Sequence, residues 1–177
     1  GIVTSEFNSL ILGFGDTAKE ALAYLYEYGA FIGEDGNRSK FHCTIIDKNI
    51  EIKKGTYLSQ RPALKDSDLL TFENLGIGTA DYWQKIDTIA DKLNYVIIAM
   101  GEDRLNISTA IDLFNYCYRK REGKLDNFAI YIRLHKDSNL KFVKKIINYY
   151  KVDNNEYIRV FGTYESIFIG STVAKYH

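Results

Sequence analysis

An apolar strand running straight into a glycine turn, Leu10-Ile11-Leu12-Gly13-Phe14-Gly15-Asp16-Thr17-Ala18, constrains this chain more than any other stretch. A helix with one apolar stripe, Ala21, Leu22, Leu25 and Tyr28, begins at once. In a Gly-x-Gly-x-x-Ala turn each small residue has a task. Gly13 permits the tight turn, Gly15 lets backbone come close to a pyrophosphate, and Ala18 lets the helix pack tightly on the strand. The pattern opens a βαβ unit whose helix N-terminus, with free N–H groups and a favourable dipole, receives phosphate. Thr17 is placed to donate to that phosphate.

The next strand supplies the partner that such a unit requires. Phe41-His42-Cys43-Thr44-Ile45-Ile46-Asp47 is rich in β-branched residues and ends in an acid, where the carboxylate that grips adenosine ribose hydroxyls belongs. Asp47 lies 34 residues beyond Gly13, against roughly 20 in the usual fingerprint. The polar, glycine-punctuated stretch 33–40 accounts for the excess as a loop inserted between helix and strand. Asp47 favours a free ribose 2′-hydroxyl, and Lys48 beside it offsets part of that, leaving a preference for NAD over NADP. Adenosine nucleotides satisfy Asp47 equally well.

Strands and helices alternate along the remainder. Strands are expected over 8–13, 41–47, 69–75, 95–100, 128–134 and 157–161, and helices over 17–28, 80–93, 103–122 and 140–150. Segment 50–64 is ambiguous because Gly55 and Pro62 interrupt it, and 164–176 is a candidate last helix. Trp83, Ile86, Ile89 and Ala90 are expected to face inward, as are Ile107, Ala110, Ile111, Phe114 and Cys117. The expected fold is a Rossmann-like, doubly wound parallel α/β sheet of six strands in order 3-2-1-4-5-6, in one domain over 1–177. In that order a ligand lies over the carboxyl ends of the strands. Candidate contacts are 13–18, Asp47, Lys48, the turn Gly76-Ile77-Gly78-Thr79-Ala80, and Ala99-Met100-Gly101.

Composition narrows the partners. The 177 residues carry 23 basic and 23 acidic side chains, so the broad positive footprint of a nucleic-acid binder is absent. No apolar run reaches the roughly 18 residues of a membrane span, and no leader pattern opens the chain, which makes cytoplasm the expected location. Cys43 and Cys117 form no spacing pattern and are expected as buried thiols.

Taken in order, these stretches resemble the TrkA N-terminal (RCK-type) nucleotide-binding domain of potassium channel and transporter regulators. The matching blocks are 10–18, Thr44-Ile45-Ile46-Asp47-Lys48-Asn49, Gly78-Thr79-Ala80-Asp81, 95–106 (Tyr95 to Asn106) and Ile132-Arg133-Leu134. The resemblance implies a regulatory domain that binds NAD, NADH, ATP or ADP and passes ligand state to a partner without turning substrate over. It implies that Thr79 and Ala80 flank the adenine and that Met100 and Gly101 lie beside the distal half of the ligand. Arg133 is then a phosphate or interface contact. Partners implied are a second copy, through apolar faces near Phe114 and Tyr118, or an additional domain or membrane protein. The sequence departs from the family in two ways. Asp16 stands where a basic or neutral residue is common, placed to cap the helix and repel phosphate, with Lys19 one turn away to offset it. The family's C-terminal ligand subdomain is also missing, so the chain is expected to be a piece of a larger protein or to work with different partners.

Three other readings compete. A small NAD(P)-dependent oxidoreductase would use Tyr116-Cys117-Tyr118-Arg119-Lys120, which has Tyr-x-x-x-Lys spacing, although coincidence is the simpler account in a chain with 14 tyrosines. A degenerate domain, its helix N-terminus occupied by Asp16, would bind no nucleotide and serve protein interaction. A methyltransferase would share the first turn, but the acid-rich lead into its glycines is missing. A metal site is not expected, because His42 and Cys43, adjacent on a strand, point to opposite faces.

Overall fold

The computed structural model describes residues 6–32, 40–65 and 68–162. The inserted stretch 33–39 and the tail 164–176 lie outside the described residues. The elements run β1 (Glu6–Leu12), α1 (Asp16–Ile32), β2 (Lys40–Ile46), α2 (Ile50–Ser59), β3 (Leu70–Glu73), α3 (Ala80–Ile89), β4 (Leu93–Ile98), α4 (Asp103–Lys120), β5 (Ala129–Arg133), α5 (Leu140–Tyr149) and β6 (Ile158–Phe161). Single 3-10 turns follow α2, follow α3 and precede α5.

The six strands form one sheet in the order β3-β2-β1-β4-β5-β6, and every pairing is parallel. This is the Rossmann-like arrangement that the sequence predicts. β1 sits at the centre, with Leu10 opposite Thr44 on one side and Val96 on the other. Helices on both faces exclude water from such strands, which explains why β1 and β4 end in unbroken apolar runs.

Alternate residues of each strand feed two separate cores. Ile11, Ile45 and Ile97 meet Ala18, Ala21, Leu22 and Leu25 of α1, with Ile50 and Tyr57 of α2. Leu10, Leu12, Val96, Ile98, Ile130 and Ile132 meet α3, α4 and α5 on the opposite face. The switch of face follows from the order. Steps from β1 to β2 to β3 move one way, the chain then returns to β4 beside β1, and right-handed crossovers put the later helices on the other side.

Several boundaries and faces differ from expectation. The ambiguous segment is helix α2, with Gly55 inside it. β4 begins at Leu93 because a 3-10 turn over Ala90–Lys92 ends the preceding helix early. In α3 the deeply buried aromatic is Tyr82, while Trp83 is half-buried and lies against Tyr116 at 5.1 Å. In α4, Leu113 is fully buried and Ile111 only half-buried. Phe114 faces inward as expected and packs on Tyr118, Tyr150 and Tyr157, which leaves only Tyr118 of that pair exposed for the dimer face expected near them. Both cysteines are buried free thiols, and desolvation raises their pKa values, that of Cys117 to about 12. Among the described residues no helix is long and apolar enough to cross a membrane.

Candidate functional site

A cleft of about 650 Å³ opens over the carboxyl ends of the strands, where β1 and β4 part. That is the switch point at which sheets of this order hold ligands. The glycine turn forms its floor. Gly13 has φ +86°, a conformation open to glycine, and a Cβ there would lie 2.8 Å from the Ala99 carbonyl oxygen. Its N–H donates to the Ile46 carbonyl at 2.9 Å, fastening the turn to β2. Phe14 is fully buried and packs edge-on against Tyr57 and Phe72, so the turn is anchored from beneath. Nothing lies within 4 Å of a Cβ built on Gly15, which leaves its backbone open to a ligand.

Asp16 does not cap α1, contrary to the sequence reading. It is the first residue of the helix, its carboxylate is exposed, and it makes no side-chain hydrogen bond among the described residues. The first N–H groups of α1 therefore keep no partner from Asp16. Exposure also screens its charge: at ~4 Å in water, repulsion of a phosphate is about 1 kcal/mol rather than several. The Lys19 ammonium lies 5.7 Å from the Phe14 ring centroid, and Lys19 lines, together with Asp16, a groove between α1 and α2.

Asp47, at the end of β2, is nearly enclosed and heavily engaged. Its Oδ2 accepts the Phe14 N–H at 2.8 Å and the Lys53 ammonium at 2.6 Å, and its Oδ1 accepts the Asn49 N–H at 2.7 Å. Burial by itself pushes the carboxyl pKa up, but the bonds from Lys53, Asn49 and Phe14 outweigh it and hold the pKa below the ordinary 3.8. The ionised carboxylate ties the glycine turn to the start of α2.

Beyond β4, two side chains that sequence reasoning did not single out set the other wall. Asn106, fully buried, accepts the Met100 N–H at 3.0 Å and donates to the carbonyls of Met100 (2.9 Å) and Arg133 (3.0 Å). Asp103 accepts the N–H groups of His135 (2.7 Å) and Lys136 (3.0 Å) and the Asn139 amide (2.9 Å). Together they clamp the loop after β4 to the loop after β5. Their signal in the sequence is an acid and an amide three apart in the first turn of a helix that follows a strand-ending glycine.

The clamp places Arg133 in the cleft wall. Its Nε and Nη1 are buried and have no hydrogen-bond partner among the described residues. Arg133 as a whole is half-buried, so its guanidinium holds two donors that neither the described residues nor open solvent satisfies.

Of the sequence candidates, Gly13, Phe14, Gly15, Asp16, Thr17, Asp47, Lys48, Ala99, Met100, Gly101 and Arg133 line this one cleft. Ala18 is buried beneath it, in the packing role expected of it. Gly78, Thr79 and Ala80 are exposed and outside the lining; of that candidate turn only Gly76 and Ile77 line the cleft, with Leu75 just before it. Thr79 is occupied as the N-cap of α3, accepting from the Tyr82 N–H and donating to the Gly76 carbonyl. Lys53 and His135 join the lining without having been read from sequence. Tyr116 and Lys120 stand outside the cleft and both engage Asp87 of α3, which raises the Tyr116 pKa to about 12. No group of metal-binding side chains occurs among the described residues.

Fold and cleft define the class, a Rossmann-like α/β protein. Comparison with known protein families, with curated proteins and with solved structures gives no match for this chain.

Proposed function

We propose that this chain is a nucleotide-binding regulatory domain that takes NAD(H) or ATP/ADP in the strand-end cleft and has no turnover of its own. The unpartnered Arg133 guanidinium, facing a cleft floored by the glycine turn, carries the reading. A phosphate or pyrophosphate there would meet the α1 N-terminus and also give the two unpartnered Arg133 nitrogens an acceptor. The cleft volume is within the range of small-molecule sites, about 300–1,000 Å³. The resemblance to TrkA-N domains supplies the regulatory part: ligand state passed to a second copy, an added domain or a membrane transporter of potassium, in the cytoplasm.

Chemistry is not favoured by the cleft's own groups. Asp47 is fixed by three donors, and the His135 Nε2 contacts the Met100 carbonyl at 2.9 Å. The oxidoreductase reading loses the proton-transfer pair that the sequence offered, since Tyr116 and Lys120 bind Asp87 instead. Calorimetric titration with NAD, NADH, ATP, ADP and AMP tests the proposal. Micromolar binding of at least one is expected, and Arg133→Met is expected to weaken it by about tenfold or more. Absence of binding up to millimolar ligand overturns the reading in favour of a protein-interaction module.

A further inference from the structure

The nucleotide reading leaves open which nucleotide, and the β2 end of the cleft bears on that. A carboxylate that reads a ribose offers one oxygen to each hydroxyl. Here the Asp47 Oδ2 already accepts two donors and Oδ1 one, so of four lone-pair sites one remains. A two-point grip on free ribose hydroxyls is not on offer while Lys53 is in place. The charge balance has changed as well. Lys53, reaching back from α2, neutralises Asp47, and Lys48, exposed and lining the same cleft, adds a second ammonium. Glu73 faces Lys85 at 3.5 Å and Glu51 faces Lys54 at 3.0 Å, and neither lines the cleft; the other acid that lines it, Asp16, stands at the start of α1 beside the glycine turn and not at the end of β2.

At the end of β2, two ammonium groups against one carboxylate with three of its four lone-pair sites taken make a net positive rim where adenosine ribose would lie. We propose that this end of the cleft selects nucleotides bearing a phosphate on the adenosine ribose over those with free ribose hydroxyls. The inference rests on the nucleotide reading and reverses the preference that Asp47 suggests in the sequence. Lys48 supplies the mobile contact, and Lys53 stays beside Asp47 to cancel its repulsion of the added phosphate.

Two sources share that chemistry, a 2′-phosphate and a 3′-phosphate, and separate titrations distinguish them. The full chain is titrated at low ionic strength with 5′-AMP, adenosine 2′,5′-bisphosphate, adenosine 3′,5′-bisphosphate and ADP, the last carrying its extra phosphate at the other end. One of the two bisphosphates is expected to bind at least about tenfold tighter than 5′-AMP. In Lys48→Ala, a change at an exposed side chain, that ratio is expected to fall below about threefold. Binding of 5′-AMP or ADP with no gain from either ribose phosphate overturns this inference and leaves the nucleotide reading standing. A gain that persists undiminished in Lys48→Ala overturns it too. Failure of all four ligands, with NAD and ATP failing as well, removes both.

Discussion

The two glycines of the turn separate fold from ligand. Gly13 is required by the structure itself, through its positive φ and through the Ala99 carbonyl that any Cβ would strike. Gly13→Ala should destabilise the protein by about 3 kcal/mol, combining backbone strain with the clash. Gly15 has no such constraint, so Gly15→Ala should unfold within about 0.5 kcal/mol of wild type yet lose most nucleotide affinity, because the added methyl occupies the approach to phosphate. Urea denaturation of the two variants, paired with ligand titration, checks both halves. Equal loss of stability would show that Gly15 also serves the fold. At this scale the sequence was legible where backbone geometry forces a residue type, as at Gly13, Gly15 and Ala18. It was silent on Lys53, whose reach to Asp47 depends on where α2 sits, and Gly55 and Pro62 hid that helix.

Helix ends and faces were legible only in part, because packing rather than propensity decides them. The moment of α3 was plain, but a neighbouring aromatic took the deep position: Tyr82 enters the core and Trp83 slides onto Tyr116 of α4. The start of α1 carries a functional consequence. Asp16 as the first helical residue complements the helix dipole while it competes with a bound anion for the same positive field. Asp16→Asn should therefore cost about 0.5 kcal/mol of stability and tighten nucleotide binding about fivefold, the ~1 kcal/mol of a screened repulsion. Salt should shrink the gain. Weaker binding in Asp16→Asn would mean that the carboxylate touches the ligand directly, on a hydroxyl rather than a phosphate.

For the whole molecule, strand order was legible because the apolar runs demanded a sheet buried on both faces and the glycine turn fixed its centre. The joining of the two halves over the cleft was not. It depends on Asp103 and Asn106, polar residues buried at the head of α4, whose partners lie in the loop after β5 some thirty residues further along. Burial alone raises the Asp103 pKa, but the bonds from His135, Asn139 and Lys136 bring it below 3.8. A carboxyl with a depressed folded-state pKa takes up protons more readily in the unfolded chain, so its stabilisation is complete above the unfolded value. It is lost as pH falls from about 4 through the folded value. Asp103→Asn should thus cost about 2–3 kcal/mol at pH 7, where the ionised acceptor is replaced by an amide that presents N–H to N–H. At about pH 3, below the unfolded-state value, the gap should narrow, since the unfolded wild-type chain then takes up a proton that the folded carboxylate resists. Denaturant titrations at the two pH values measure the difference directly. A gap unchanged by pH would assign the clamp's contribution to shape, and the cleft would then owe its form to Asn106 rather than to the charge on Asp103.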